Sequence, residues 1–395
     1  MGRGADSGGI APDRFGGLCQ AMQPEPARGR TDCQEGSTVK SSNADNLAFG
    51  LAGHGAGRLS GVCVDGYNAE LRDKDGFVGD RASGRAFRAM LEDRRDSIRN
   101  AAEHDPLGSV ASTEISKKKL DRLILDGDPM AAGVVLGTIE AFAQEFASVA
   151  RRILRLREWR DTQRIVVGGG LRDSRIGELA IGRAAGLLRV TNREVELQPI
   201  RHHPDEAGLI GCVHLAPPWI FSGYDSILAV DIGGSNIRVG VVLLTRTKAN
   251  LSSGRVWNVE LWRHRDDKPS REDAMKRLVG MLCSAIKRAR KRGFRLAPFV
   301  GIGCPGLIRE DGSIEKGGQN LPGNWEHEDF NLARLLRQTL PPVDGNEITV
   351  LMHNDAVVQG LSEAPFMRDV ERWGVMTIGT GLGNARFSNR STGQG

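Results

Sequence analysis

The chain has 395 residues, which is enough for two domains with complete hydrophobic cores. Its hydrophobic fraction of 39% and its charged fraction of 26% are typical of a globular protein. The formal net charge is only +5, which disfavours nucleic-acid binding on charge alone. The six cysteines form no CxxC pair, and the apolar runs are too short to span a bilayer. We therefore expect reduced thiols, no membrane contact and a cytoplasmic location.

The pattern of apolar residues predicts an α/β protein that follows a disordered tail. Residues 1–55 are rich in Gly, Ser, Arg and Asp and lack apolar periodicity, so we expect them to be disordered. Helices are then predicted over residues 79–96, 115–126, 129–157, 175–188, 205–215 and 271–291. Strands are predicted over residues 164–167, 194–199, 226–230, 237–244, 299–303, 348–352 and 375–378. Several of these strands end in Gly-rich turns and alternate with helices, which favours an α/β architecture.

The first Gly-rich turn follows the strand 226–230 and lies in the sequence DIGGSNIR at 231–238. Gly233 and Gly234 allow the backbone to approach a phosphate closely, and successive N–H groups can surround an anion. Asp231 is predicted to lie beside Mg²⁺, which it contacts through water. Ser235 and Arg238 are predicted to assist in holding phosphates. Taken alone, this turn is equally consistent with an ordinary Gly-rich hairpin.

Two further Gly-rich turns follow predicted strands. The sequence TIGTGLGN at 377–384 places Thr380 and Gly381 as hydroxyl and backbone donors to a phosphate. The sequence VVGGG at 166–170 places Gly169 and Gly170 where they would line a nucleoside pocket. A tight turn between a strand and a helix is the alternative interpretation of this third sequence.

The pair Asn354–Asp355 ends the strand predicted over 348–352. A hydroxyl that attacks a phosphoryl group needs a general base, and we predict Asp355 in that role. The alternative is that Asp355 is the N-cap of a helix predicted over 356–362. Asn354 and Asn320 are predicted to orient the hydroxyl groups of the substrate.

Five motifs together resemble those of the ROK family (repressors, open reading frames and sugar kinases). They are DIGGSNIR at 231–238, GIGCPG at 301–306, NLPGNW at 320–325, Asn354–Asp355 and TIGTGLG at 377–383. The resemblance implies a two-lobed actin-like ATPase fold of the hexokinase and ribonuclease H type. It also implies that ATP, Mg²⁺ and a small sugar bind between the lobes, and that the activity is that of a glucokinase-like kinase.

The preceding half of the chain resembles the other end of the same family. DRASG at 80–84, VVGGG at 166–170 and DEAGLIG at 205–211 are similar to motifs that follow the others in that family. The resemblance therefore implies a circular permutation, with domain ends close together at the surface. Residues 56–204 and 353–395 would form the large lobe, and residues 205–352 the small lobe. Two chains that each supply half a site are the alternative.

Two departures from the family pattern bear on the function. The family's zinc module, a Gly-His followed by a cysteine cluster, is missing, so we expect no structural zinc. The sugar-contacting Glu and His residues of that module have no equivalents, and Gly79 stands where the family has Glu. A non-catalytic binding protein is therefore one alternative function. A sugar-sensing regulator is another, because the family includes members with an added DNA-binding domain, although residues 1–55 lack the apolar pattern of a helix-turn-helix. The identity of the sugar, the choice between ATP and polyphosphate, and a homodimer stay open.

Overall fold

The computed structural model describes residues 51–102, 104–191, 195–247 and 250–390. The predicted tail over residues 1–50 lies outside the described residues. The strands are β1 (Val62–Tyr67), β2 (Arg72–Asp73), β3 (Gly76–Phe77), β4 (Arg164–Gly168), β5 (Glu196–Pro199), β6 (Ser226–Ile232), β7 (Ile237–Thr247), β8 (Asn250–Trp262), β9 (Leu296–Cys304), β10 (Leu307–Ile308), β11 (Ile314–Lys316), β12 (Thr349–Asn354), β13 (Arg372–Ile378) and β14 (Leu382–Asn389).

The α-helices are α1 (Gly84–Ala102), α2 (Lys117–Asp126), α3 (Pro129–Ile153), α4 (Arg175–Thr191), α5 (Pro204–Gly211), α6 (His264–Asp267), α7 (Arg271–Arg292), α8 (Leu332–Thr339) and α9 (Asp355–Leu361). Their ends follow local chemistry. The Ser270 side chain accepts a hydrogen bond from the first turn of α7, and Gly293 ends that helix in the left-handed region with φ 80°. In the part of the chain that the structure describes, no helix combines the length and apolar composition needed to cross a membrane.

Two five-stranded sheets share one pattern of strands. Sheet 1 has the order β1-β14-β13-β4-β5, and sheet 2 has the order β8-β7-β6-β9-β12. In each sheet, neighbouring strands among the first three are antiparallel, and the last three strands are parallel. The structure is therefore a mixed α/β fold with a repeated sheet architecture.

The two sheets differ in the order in which the chain builds them. Sheet 2 starts with its central strand β6 and adds β7, β8, β9 and β12 in chain order. The corresponding order in sheet 1 is β13, β14, β1, β4 and β5, so it begins near one end of the described chain and continues near the other. Val62 of β1 pairs with Asn389 of β14, which makes the first and last of these strands antiparallel neighbours.

Three hydrophobic clusters form the core. One lies between sheet 2 and α7, and a second lies between sheet 1 and the helices α1, α3 and α4. The third joins the two sheets around α5 and α9, with Phe299 from β9, Phe387 from β14, and Leu209 and Val357 from the two helices. Burial of this third cluster fixes α5 and α9 between the sheets.

The segment before β1 corrects the predicted extent of the tail. The Gly55 N–H donates to the Met352 carbonyl at 2.9 Å, and the Met352 N–H donates to His54 Nδ1 at 3.1 Å. The His54 side chain is buried, and so is Leu51. The disordered tail predicted over 1–55 is therefore wrong for residues 51–55. Single hydrogen bonds to one strand, such as those of His54 and Gly55 to Met352, leave no periodic pattern of apolar residues, so the sequence did not indicate that this segment packs.

Candidate active site

A cavity of about 630 Å³ lies between the two sheets, at the ends of several of their strands. The turn after β6, the turn after β13 and the turn after β4 all line it. The carboxyl ends of parallel strands are a common place for ligand sites in α/β proteins. Three Gly-rich turns that are far apart in sequence therefore meet at one cavity.

The turn after β6 is held in place by its own backbone and by α6. The Gly233 N–H donates to the Asn236 carbonyl at 2.8 Å, and His264 Nε2 lies 2.9 Å from the Gly233 carbonyl. Gly234 lies so close to Asn320 that a Cβ atom there would be 2.9 Å from the Asn320 Cβ. The turn and the Asn320 loop thus form one continuous wall of the cavity.

Asp231 is buried at the base of this turn, with 6% of the residue exposed. Arg238 Nη1 lies 3.3 Å from its carboxylate, and the Arg238 guanidinium also pairs with Asp205 of α5. Burial raises the pKa of Asp231, and Arg238 opposes that shift. A Cβ atom at Gly208 would be 2.7 Å from the Asp231 carboxylate, so α5 needs glycine where it passes this group.

The turn after β13 faces the turn after β6 across the cavity. The hydroxyl oxygens of Ser235 and Thr380 are 3.4 Å apart, which is within hydrogen-bonding distance. Arg85 Nε donates to the Thr380 carbonyl at 3.0 Å, and the Gly84 N–H donates to the Gly379 carbonyl at 2.9 Å. The start of α1 thus fixes the position of this second turn.

The turn after β4 has one crowded glycine and one open glycine. Gly169 has φ 85°, and a Cβ atom there would be 2.5 Å from the Ile378 backbone. Its N–H donates to Gln359 Oε1 at 3.1 Å. A Cβ atom at Gly170 would meet nothing within 4 Å, so this residue borders open space in the cavity. The Lys117 ammonium group donates to the Gly170 carbonyl.

Asp355 is the first residue of α9, and the residue before it is the N-cap. Asn354 Oδ1 accepts hydrogen bonds from the Ala356 and Val357 N–H groups, at 3.0 and 3.3 Å. The alternative that Asp355 is the N-cap of this helix is wrong, because Asn354 fills that role. Asn354 Nδ2 donates to the Gly306 carbonyl at 3.0 Å and to Asp355 Oδ1 at 3.1 Å.

The electrostatic environment of Asp355 favours its neutral form. Burial and the negative charge of Asp231 raise the pKa of Asp355 to about 7, although the Asn354 amide and nearby N–H groups oppose the shift. A carboxylate with a pKa near neutrality can accept a proton at physiological pH and release it again. Asp355 is partly exposed to the cavity and therefore accessible to a ligand.

Nearly all the predicted site residues line this one cavity. They are Asp231, Gly233, Gly234, Ser235, Arg238, Asn320, Asp355, Thr380, Gly381, Gly169 and Gly170. Asn354 does not line the cavity, because its side chain is fully buried behind Asp355 and is used by the hydrogen bonds described above. Its predicted direct contact with a substrate is therefore replaced by a positioning role.

Other polar residues of the cavity were not predicted as site residues: Asn68, Glu70, Arg85, Lys117, Asp205 and Gln319. They come from the loop after β1, the starts of α1, α2 and α5, and the loop before Asn320. Asp205 lies within DEAGLIG, which could have pointed to it; no sequence signal marks the others. Among the described residues, no group of three His, Cys, Asp or Glu side chains is arranged to hold a metal ion.

Three solved structures are similar to parts of the chain. A candidate N-acetylmannosamine kinase from Listeria monocytogenes is 23% identical over 42% of this chain and 47% of its own, with a TM-score of 0.30. A candidate sugar kinase from Cytophaga hutchinsonii is 21% identical over 42% and 48%, with a TM-score of 0.32. A ROK hexokinase from Thermus thermophilus is 23% identical over 40% and 45%, with a TM-score of 0.26. The chain thus spans less than half the length of each of them. No protein-family model matches the chain, and no curated protein does.

Proposed function

We propose that this protein is an ATP-dependent kinase that phosphorylates a hydroxyl group of a sugar. The observation that carries the proposal is the position of Asp355, whose pKa is raised to about 7, in a cavity lined by Gly-rich turns. The turns after β6 and β13 approach each other there, with the Ser235 and Thr380 hydroxyls 3.4 Å apart. Such a pairing of backbone donors with a carboxylate suits phosphoryl transfer, in which positioning and electrostatic stabilisation supply most of the catalysis.

In this proposal the glycine turns hold the nucleotide. N–H groups at Gly233, Gly234 and Gly381, with the hydroxyls of Ser235 and Thr380, would bind the phosphates. Mg²⁺ carried by the nucleotide would lie beside the buried carboxylate of Asp231 and neutralise phosphate charge. The Asp231 oxygens fit that role, since Mg²⁺ prefers carboxylate oxygen and water.

The nucleoside of ATP would lie beside the third turn. Gly170 borders open space in the cavity, so a ring can approach its backbone closely. Gly169 closes the turn against β13 and leaves no room for a larger residue.

The Asp355 carboxylate would take the proton of the sugar hydroxyl as the hydroxyl oxygen bonds to the γ-phosphorus. The bond between that phosphorus and the bridging oxygen breaks, and ADP leaves with the electron pair. Asn354 keeps the Asp355 carboxylate in place, and Asn320 offers an amide to the sugar from the opposite wall.

We further propose that the fold is a circularly permuted actin-like ATPase fold. The repeated sheet pattern supports this proposal, since only sheet 1 is built from both ends of the described chain. The antiparallel pairing of β1 with β14 supports a break between two strands that are hairpin neighbours in the unpermuted order. A cytoplasmic location and action as an enzyme on small molecules complete the proposal.

The experiment is a measurement of ADP release with Mg·ATP across a panel of hexoses and amino sugars. We expect one sugar to stimulate ADP release well above the rate without an acceptor, and Asp355→Asn to abolish the stimulation. Nucleotide binding without transfer to any sugar would contradict the kinase function. It would favour the non-catalytic alternative.

A further inference from the structure

The loop between β1 and β2, residues 68–70, is held rigidly at the cavity wall by one buried residue. Asn384 of β14 accepts two hydrogen bonds from this loop, both at 2.9 Å. Its backbone carbonyl accepts one from the Asn68 N–H, and its Oδ1 atom accepts one from the Ala69 N–H. Its Nδ2 atom donates to the Ala69 carbonyl at 3.4 Å. Asn68 itself has φ 51°, a left-handed conformation that non-glycine residues rarely adopt outside turns and functional sites. The position of this loop is therefore set by β14.

Three amide side chains that line the cavity have no hydrogen-bond partner among the described residues. Asn68, Gln319 and Asn320 all line the cavity with Asp355. Within the described ranges, none of these three amide groups makes an intramolecular hydrogen bond. Each amide has two donor hydrogens and an acceptor oxygen, which match the donor and acceptor capacity of hydroxyl groups. This wall is therefore suited to a ligand with several hydroxyls.

A carboxylate from the same loop faces the opposite wall. Glu70 Oε2 lies 3.7 Å from Lys316 Nζ at the end of β11, so the two sides of the cavity approach each other here. Glu70 is itself a cavity residue, and its side chain is 48% exposed. The Glu70 carboxylate oxygens would accept hydrogen bonds from hydroxyl groups, and the negative charge would repel an acidic ligand.

Two cationic side chains of the cavity lie at the turns proposed for the nucleotide, and one of them, Arg85, also pairs with Asp80 at 3.6 Å. Arg85 is bonded to the turn at Thr380, and Lys117 is bonded to the turn at Gly170. Beside the Asn68 loop, the nearby cation Lys316 is already paired with Glu70. The charges therefore favour anionic phosphates at one end of the cavity and an uncharged ligand at the other.

We propose that Asn68 and Glu70 recognise the hydroxyl groups of the phosphoryl acceptor, and that this wall selects an uncharged polyhydroxylated acceptor over an acidic one. The inference rests on the proposed kinase function and adds the residues and the chemistry that choose the substrate. Asn68 and Glu70 lie in the loop after β1, which belongs to sheet 1, whereas Gln319 and Asn320 lie in the loop after β11, on the other side of the cavity. The acceptor would therefore be held from both sides while Asp355 contacts the reacting hydroxyl.

The test compares Asn68→Ala and Glu70→Gln with the wild type, using ATP and the best sugar of the panel. We expect the acceptor KM to rise about 5-fold for Asn68→Ala, which loses a hydrogen bond in the bound state, and about 10-fold for Glu70→Gln, which keeps an acceptor oxygen but loses the charge that strengthens its hydrogen bonds. The ATP KM should stay unchanged, since neither residue lies at the nucleotide turns. The matched control is Glu178→Gln, whose side chain is 49% exposed and paired with Arg175 outside the cavity.

The same assay compares the best hexose with its uronic acid. We expect the acid to have a KM at least about 10-fold higher with the wild type, and Glu70→Gln to narrow that difference. Unchanged acceptor KM values in folded Asn68→Ala and Glu70→Gln proteins would overturn the inference, and so would an acid that serves as well as the hexose.

Saturation-transfer NMR with the hexose alone separates this inference from the kinase function. Sugar binding by the wild type that is weakened about 5-fold in Asn68→Ala, with no phosphoryl transfer, would refute the kinase function and still support hydroxyl recognition by Asn68. A wild type that binds none of the sugars would refute both.

Discussion

Asp355→Asn removes a negative charge from the cavity while keeping the size of the side chain. Its oxygen can still accept the hydrogen bond that Asn354 Nδ2 donates at 3.1 Å. The variant cannot accept the proton of an attacking hydroxyl, so kcat should fall by about 10²- to 10⁴-fold. That loss corresponds to roughly 3–5 kcal/mol of activation free energy. The affinity for the nucleotide should barely change, because the Gly-rich turns carry the phosphate contacts.

The raised pKa gives the same experiment a second readout. With a pKa of about 7, the Asp355 carboxyl group is ionised in roughly one tenth of wild-type molecules at pH 6 and in roughly nine tenths at pH 8. We therefore expect kcat/KM of the wild type to rise through pH 7 and then level off. The assay is coupled ADP release, with calorimetric nucleotide binding and a melting curve for each protein.

The matched control for this variant is Asp273→Asn. Asp273 lies in the first turn of α7, as Asp355 lies in the first turn of α9, but it does not line the cavity. It should keep full turnover. Full turnover by a folded Asp355→Asn protein, or a rate independent of pH between 6 and 8, would refute the assignment of the base.

Three further predictions follow from the same geometry. Because the folded-state pKa of Asp355 lies above the value of about 3.9 in an unfolded chain, its contribution to stability is fully present below about pH 4 and is lost as the pH rises through 7. The Tm of Asp355→Asn should thus exceed that of the wild type at pH 8 and equal it near pH 4; equal values at both would contradict this. Gly169→Ala should lower the free energy of unfolding by more than about 1 kcal/mol in urea titrations. Gly170→Ala should leave the free energy of unfolding unchanged and should weaken ATP binding. Wild-type ATP affinity in Gly170→Ala would show that Gly170 is not part of the nucleotide site. The third prediction concerns a reordered chain in which residues 224–390 come first and are joined by a Gly/Ser linker of about 12 residues to residues 51–222. This chain should keep the wild-type circular dichroism spectrum and a Tm within a few degrees of the wild type, because the new junction lies near the paired strands β1 and β14. Failure of this chain to fold would count against the permutation.

The buried strands and their turns could be predicted from the sequence because each signal is local. The strand β6 is buried at every residue, is apolar over residues 227–230, and ends at a Gly-rich turn. The strand β13 is buried at every residue after Arg372 and also ends at a Gly-rich turn. Residues at the ends of such strands, including Asp231 and Asp355, could therefore be placed at one edge before the structure was known.

The edge strand β1 could not be predicted, because its pairing depends on distant residues. Only the first residue of β1 is buried, so its sequence has no apolar period, and its partner β14 lies more than 300 positions away. The loop that follows β1 reaches the cavity only through this pairing, which is why Asn68 and Glu70 were not foreseen. Asn354 was placed correctly beside Asp355, but its direction depends on whether it caps α9, and the sequence alone left that choice open.

The most direct test of the central claim is ³¹P NMR of the wild-type protein with Mg·ATP and the panel of sugars. We predict that a sugar-phosphate resonance and ADP appear together in equal amounts with at least one uncharged sugar. We predict that neither accumulates when Asp355→Asn replaces the wild type. ATP that stays intact with every sugar, or that yields free inorganic phosphate without a phosphorylated sugar, would contradict the proposed kinase function.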